Sequence, residues 1–72
     1  MKSHSYEIEV ARRADGLLNL CIYDAREGKR HIAILDTGFA APSVMASARV
    51  HNLIAALKID LAGLKPGKTY RF

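Results

Sequence analysis

Between residues 6 and 36 apolar and polar side chains alternate with the two-residue period of a β-strand, and glycine breaks the alternation twice, at Gly16 and Gly28. That pattern commits the first half of the chain to strands joined by tight turns. "YEIEV" places Tyr6, Ile8 and Val10 on one face and Glu7 and Glu9 on the other. "LNLCIY" sets Leu18, Leu20 and Ile22 against Asn19, Cys21 and Tyr23, and "RHIAILD" offers Ile32 and Ile34 against His31, Ala33 and Leu35.

The turns follow from requiring these apolar faces to coincide. A two-residue turn at Asp15-Gly16 pairs Val10 with Cys21 and sends the two apolar faces to opposite sides, because a one-residue slip inverts a strand. A three-residue loop, Ala14-Asp15-Gly16, pairs Val10 with Leu20 and Ile8 with Ile22, with glycine in the left-handed third position. By the same rule the loop Arg26-Glu27-Gly28 pairs Ile22 with Ile32 and Leu20 with Ile34. Both turns then lead to one inner face.

A helix is expected after "TGFAAPS". Pro42 or Ser43 suits its first turn or cap, Gly63 suits the residue past its end, and Pro66 blocks continuation. At 100° per residue Ala46, Val50, Leu53, Ile54, Leu57 and Leu61 form one stripe, which covers the sheet. Residues 68–72 offer a short fourth strand with Tyr70 and Phe72 on one side. The expected fold is α+β: a three-stranded antiparallel meander packed on one helix (β-β-β-α), with a short C-terminal strand available. It is read as one domain over residues 1–72, with a flexible start at 1–5 and a tail or edge strand at 64–72. Its expected core includes Leu20, Ile22, Ile34, Ile54 and Leu57.

A chain of 72 residues is close to the size at which one core barely suffices, so packing or a partner must contribute. The single cysteine, Cys21, excludes an internal disulfide, and with a polar start it fits a cytoplasmic location. Once the core stripe is assigned, Met45, Ala48, Asn52, Ala55 and Ile59 remain on the opposite side of the helix, spaced 3, 4, 3, 4 like a helix-packing seam. They form the candidate protein interface; the alternative is an Ala-rich solvated face.

Chemical motifs are few. "GLKPGKT" has three residues where a phosphate loop needs four, follows a helix instead of a strand, and has no helix after it. Cys21 and His31 are diagonal neighbours on paper, but no ligand spacing supports a metal, and Glu9 beside Cys21 opposes thiolate formation. No cofactor, no metal and no catalytic residue are expected, and the chain is read as a non-enzyme without a membrane span.

The net charge of +4 gives a second reading, a small nucleic-acid-binding regulator. Its candidate contacts are Arg26, Lys29 and Arg30 at one hairpin and Lys65, Lys68 and Arg71 on the tail. In layout alone, three strands and then a helix, the chain resembles the arm-binding domains of phage integrases and small antitoxin-type regulators. That resemblance implies Arg, Lys or Asn on the outer sheet face, where Glu7 and Glu9 stand in one strand. The first reading is therefore a module that self-associates or docks on a protein, through the second helix face or a sheet edge.

Overall fold

The computed structural model describes residues 5–38 and 40–72. It is an α+β fold: a five-stranded antiparallel sheet with one helix, in the spatial order β4-β3-β2-β1-β5. In chain order the elements are β1 (Tyr6–Arg12), β2 (Leu18–Asp24), β3 (Lys29–Asp36), β4 (Ser43–Met45), α1 (Ala48–Ala56), a 3-10 turn (Leu61–Gly63) and β5 (Thr69–Arg71). The meander and the C-terminal strand are as expected; β4, ahead of the helix, is an addition.

The first hairpin has the expected register, with Val10 opposite Leu20 and Ile8 opposite Ile22. Gly16 takes φ +86, and Gly16 N–H donates to the Arg13 carbonyl at 3.2 Å. The second hairpin is slipped by one residue from the expected register. Ile22 lies opposite His31, Leu20 opposite Ala33 and Leu18 opposite Leu35. Ala33 and Leu35 therefore enter the core, while Ile32 and Ile34 turn outward. The cause is Asp24. Its buried carboxylate accepts the Arg26 and Glu27 N–H groups at 2.9 and 3.3 Å, and its carbonyl accepts Gly28 N–H at 2.8 Å. That side-chain cap draws Ala25 into the turn, making it four residues long, with Gly28 at φ +66.

The helix is shorter than its apolar periodicity suggests. Ser43, expected at its start, belongs to β4, where Val44 pairs with Leu35 and supplies a β-branched side chain to the inner face. Ser47 is the true cap, its hydroxyl accepting Val50 N–H at 3.3 Å. The other end stops well before Gly63. Lys58 is left-handed at φ 54, Lys58 N–H donates to Ala55 O at 3.1 Å, and Ile59 N–H reaches back to Ile54 O at 3.2 Å. This pair of bonds is a Schellman ending, whose apolar contact closes Ile59 onto the cluster holding Ile54. Gly63 instead ends the 3-10 turn, which Asp60 caps by accepting Ala62 N–H at 3.2 Å.

The core lies between α1 and one face of the sheet. Ile8, Val10, Leu18, Leu20, Ile22, Ala33 and Leu35 come from the strands, Val50 and Ile54 from the helix, and Ile59 and Leu64 from the chain after it. Of the expected helical stripe, Val50, Leu53 and Ile54 face the core from α1, whereas Ala46, Leu57 and Leu61 lie outside the helix and pack at the core's margin. Leu57 and the outward Ile34, both expected in the core, are only half-buried. The Tyr70 hydroxyl holds the tail by accepting Lys65 N–H at 2.9 Å and donating to Gly63 O at 3.4 Å. No helix among the described residues is long and apolar enough to cross a membrane.

Candidate protein-binding edge

The expected helix seam does not assemble. Ala48, Asn52 and Ala55 are exposed on α1, but Met45 stands on β4 and Ile59, at 8 % exposure, is part of the core. What remains is a surface of two alanines and an asparagine, too small and polar to drive docking. The basic residues also divide. Lys29 and Arg30 lie on β3 with Arg26 in the adjoining turn, whereas Arg71 lies on β5 with Lys65 and Lys68 in the chain before it. Three strand intervals separate β3 from β5, roughly 14 Å at the usual strand spacing. Glu7 and Glu9 stand between them, and Arg71 is already paired with Glu7 at 3.2 Å.

Among the described residues the large apolar side chains left exposed are Ile32 (61 %) and Met45 (54 %). Both are on the outer face of the sheet, at the β3–β4 side, with half-buried Ile34 opposite Met45. Cys21 lies opposite Ile32, and Arg30 sits over the Tyr23 ring at 5.3 Å with one nitrogen 3.9 Å from Cys21 Sγ. The hairpin slip created this patch.

Beside it the sheet has an unfinished edge. In an antiparallel ladder successive residues turn their N–H and C=O groups to alternate neighbours. Arg13 N–H donates to Leu17 O, so the odd-numbered residues of β1 bond to β2, and the even-numbered ones face β5. The bonds from Tyr6 N–H to Phe72 O and from Val10 N–H to Lys68 O conform. Carrying the alternation across β2 assigns Lys29, His31, Ala33 and Leu35 to β2 and directs Arg30, Ile32, Ile34 and Asp36 the other way. Ile34 and Asp36 meet Met45 and Ser43 of β4. Nothing among the described residues meets Arg30 and Ile32. Residues 29–33 thus present two N–H and two C=O groups along an open edge.

The two edges of the sheet contrast. The tail residues 67–72 cover β1 along most of its length, through the Gly67, Lys68 and Phe72 bonds and the β5 pairing. On the other side β4 covers only Ile34, Leu35 and Asp36 before the chain leaves for the Ser47 cap. β4 and β5 are themselves three-residue strands, a length that gives little template for further pairing.

A cleft of about 270 Å³ lies on the inner side near the same hairpin, lined by Tyr6, Asp24, Glu27, His31, Arg49 and Asn52 over an apolar floor of Val50, Leu53 and Ala56. Its charged groups are engaged with the protein itself. Glu27 is paired with Arg49, and Asp24 caps its turn. Among the described residues no group of three His, Cys, Asp or Glu side chains converges on a metal position. The open edge, expected from sequence only as a sheet edge and without the outward Ile32 that the slip supplies, is the better-formed site. No family model, curated protein or solved structure matches this chain.

Proposed function

We propose that this chain is a non-enzymatic interaction module that docks on a protein partner through the open half of the β3 edge. The observation that carries the reading is the coincidence of unpaired backbone at Arg30 and Ile32 with the exposed apolar pair Ile32 and Met45. An extended segment laid there gains backbone hydrogen bonds for affinity and side-chain contacts for selectivity, the mode known as strand addition. Half-buried Cys21, in the row opposite Ile32, suits a reducing compartment.

Nucleic acid is the weaker reading. A duplex or single strand laid across the outer face meets Glu7 and Glu9 between the two basic groups, and the phosphate backbone needs an unbroken basic track. Self-association through the helix loses its support with the burial of Ile59.

The test is position-resolved photocrosslinking in cells, with the crosslinking residue at Ile32 in one variant and at Ala55 in another. Discrete adducts are expected from position 32 and none from position 55. Adding Arg30→Pro to the first variant should abolish them. The melt should hold, because the Arg30 N–H makes no bond to β2. Adducts from position 55 alone, or none from position 32, would sink the proposal.

A further inference from the structure

We infer that the strand completing β3 is an acidic one: an extended peptide, antiparallel to β3, with an apolar residue opposite Ile32 and a carboxylate opposite Arg30. The inference rests on the edge reading above and adds the chemistry of the partner.

The length is set first. Met45 occupies the position beside Ile34, so an incoming strand has only residues 29–33 to pair with. The same alternation that leaves Arg30 and Ile32 open makes both of them hydrogen-bonded positions, so an antiparallel strand forms four backbone bonds there. Side chains directly opposite each other in such a pair share a face. The partner's residues opposite Arg30 and Ile32 therefore point to the outer face, where the surroundings are known.

Those surroundings differ at the two places. The residue opposite Ile32 falls between Ile32 and, farther along the same line, Met45. An apolar side chain there covers both of the large exposed hydrophobics. The residue opposite Arg30 meets a guanidinium on the outer face, with Arg26 in the adjoining turn and Lys29 one residue away on the inner face. Among the described residues the ion pairs are Arg13 with Asp15, Arg49 with Glu27 and Arg71 with Glu7, so these three cations have no carboxylate partner. Reading the partner from its N-terminus, the pattern is apolar, any residue, acidic.

A second copy of this chain fits less well. Two β3 edges paired antiparallel bring Lys29 and Arg30 of both copies to one seam, and lysine on an edge is a known device against that pairing. An acidic strand turns the same charges into attraction.

The experiment is an NMR titration of the full chain with capped pentapeptides at low salt, following backbone amides and their exchange protection. The probes are Thr-Val-Thr-Glu-Thr, its charge-reversed form Thr-Val-Thr-Lys-Thr, and the transposed Thr-Glu-Thr-Val-Thr. The Glu peptide should shift and protect the Arg30 and Ile32 amides, and it should bind about fivefold or more tighter than the Lys peptide, the scale of a cross-strand charge pair. Arg30→Glu should invert that preference, and Ile32→Pro should remove binding while the other amide shifts remain native. Equal binding of Glu and Lys peptides at this edge overturns the acidic partner and leaves the edge reading standing. Equal binding of the transposed peptide overturns the pattern. Shifts confined to β5 or α1 overturn both readings. Protection of Arg30 and Ile32 that grows with protein concentration alone assigns the edge to a second copy. Tighter binding of a single-stranded oligonucleotide at the same residues assigns it to nucleic acid. Either result overturns the inference.

Discussion

Leu35→Ala and Ile34→Ala should have opposite rank to the one an alternating reading of "RHIAILD" suggests. Leu35 is fully buried, between Leu18 of β2 and Val44 of β4. Truncation to alanine removes three carbon atoms from the core, about 2.4 kcal/mol at ~0.8 kcal/mol each. The cavity left behind brings the loss to about 3–4 kcal/mol. A chain this small holds roughly 4–10 kcal/mol in total, so the variant should sit near the threshold of folding. Ile34 faces outward and is half-buried beside Met45 and Asn19, so its truncation should cost about 1 kcal/mol. Urea denaturation at fixed temperature measures both, with the midpoint read at unchanged slope. On heating, the Leu35 variant should melt roughly 12–32 °C below wild type, at about 4–8 °C per kcal/mol for a domain of this size. A larger loss for Ile34→Ala than for Leu35→Ala would refute the slipped register, and the open edge argued from it.

Other outcomes follow from the turns and caps. Lys58→Gly should stabilise by about 0.5–1 kcal/mol in the same denaturation, since it relieves a left-handed residue at the end of α1. Gly16→Ala and Gly28→Ala meet no atom within 4 Å, so any loss there, about 1 kcal/mol each, is backbone strain and should appear without change in the denaturant slope. The Arg13 guanidinium, with help from the Leu17 N–H, holds the Asp15 carboxyl below its ordinary value. The folded pKa is depressed, so this stabilising contribution is present above the unfolded value and is lost as pH falls through the folded one; Asp15→Asn should flatten that acid limb of the stability curve.

How far the sequence reveals this fold depends on where its local rules compete. The first hairpin is legible because only the three-residue loop ending in Gly16 brings Ile8 and Val10 to the side of Leu20 and Ile22. The second offers two answers, the more apolar Ile32 with Ile34 or Ala33 with Leu35, and the structure takes the latter. The choice falls to Asp24, whose turn-capping role needs a buried carboxylate that alternation does not suggest. The helical stripe is legible from Val50, Leu53 and Ile54, but the ends are not. An apolar period continues through Ile59 and Leu61 even though the chain has already turned at Lys58 to bury Ile59 from another direction. The candidate site inherits these errors. The 3, 4, 3, 4 seam needs Ile59, which the core takes, and alternation alone leaves Ile32 off the outer face, where the slip places it.

Charged residues on the open half of β3 admit a purely protective reading, in which Lys29 and Arg30 keep the edge from pairing with anything. That reading accounts for the charges and fails at Ile32. A protected edge gains nothing from a β-branched apolar residue left 61 % exposed beside an exposed methionine, an arrangement that favours aggregation. Ile32→Lys separates the two accounts. Position 32 lies outside the core and its backbone makes no bond to β2, so the substitution should change the unfolding free energy by no more than about 0.5 kcal/mol. Under the protective account it raises solubility and costs no function. Under the docking account it raises solubility and also removes the adducts formed by a further crosslinking residue placed at Tyr23, opposite Arg30 on the outer face. The like charge now stands where an apolar contact was required, and a strand laid against the edge loses its cover of Met45. Retention of the crosslinks at wild-type yield in the Ile32→Lys chain would return the edge to the protective reading.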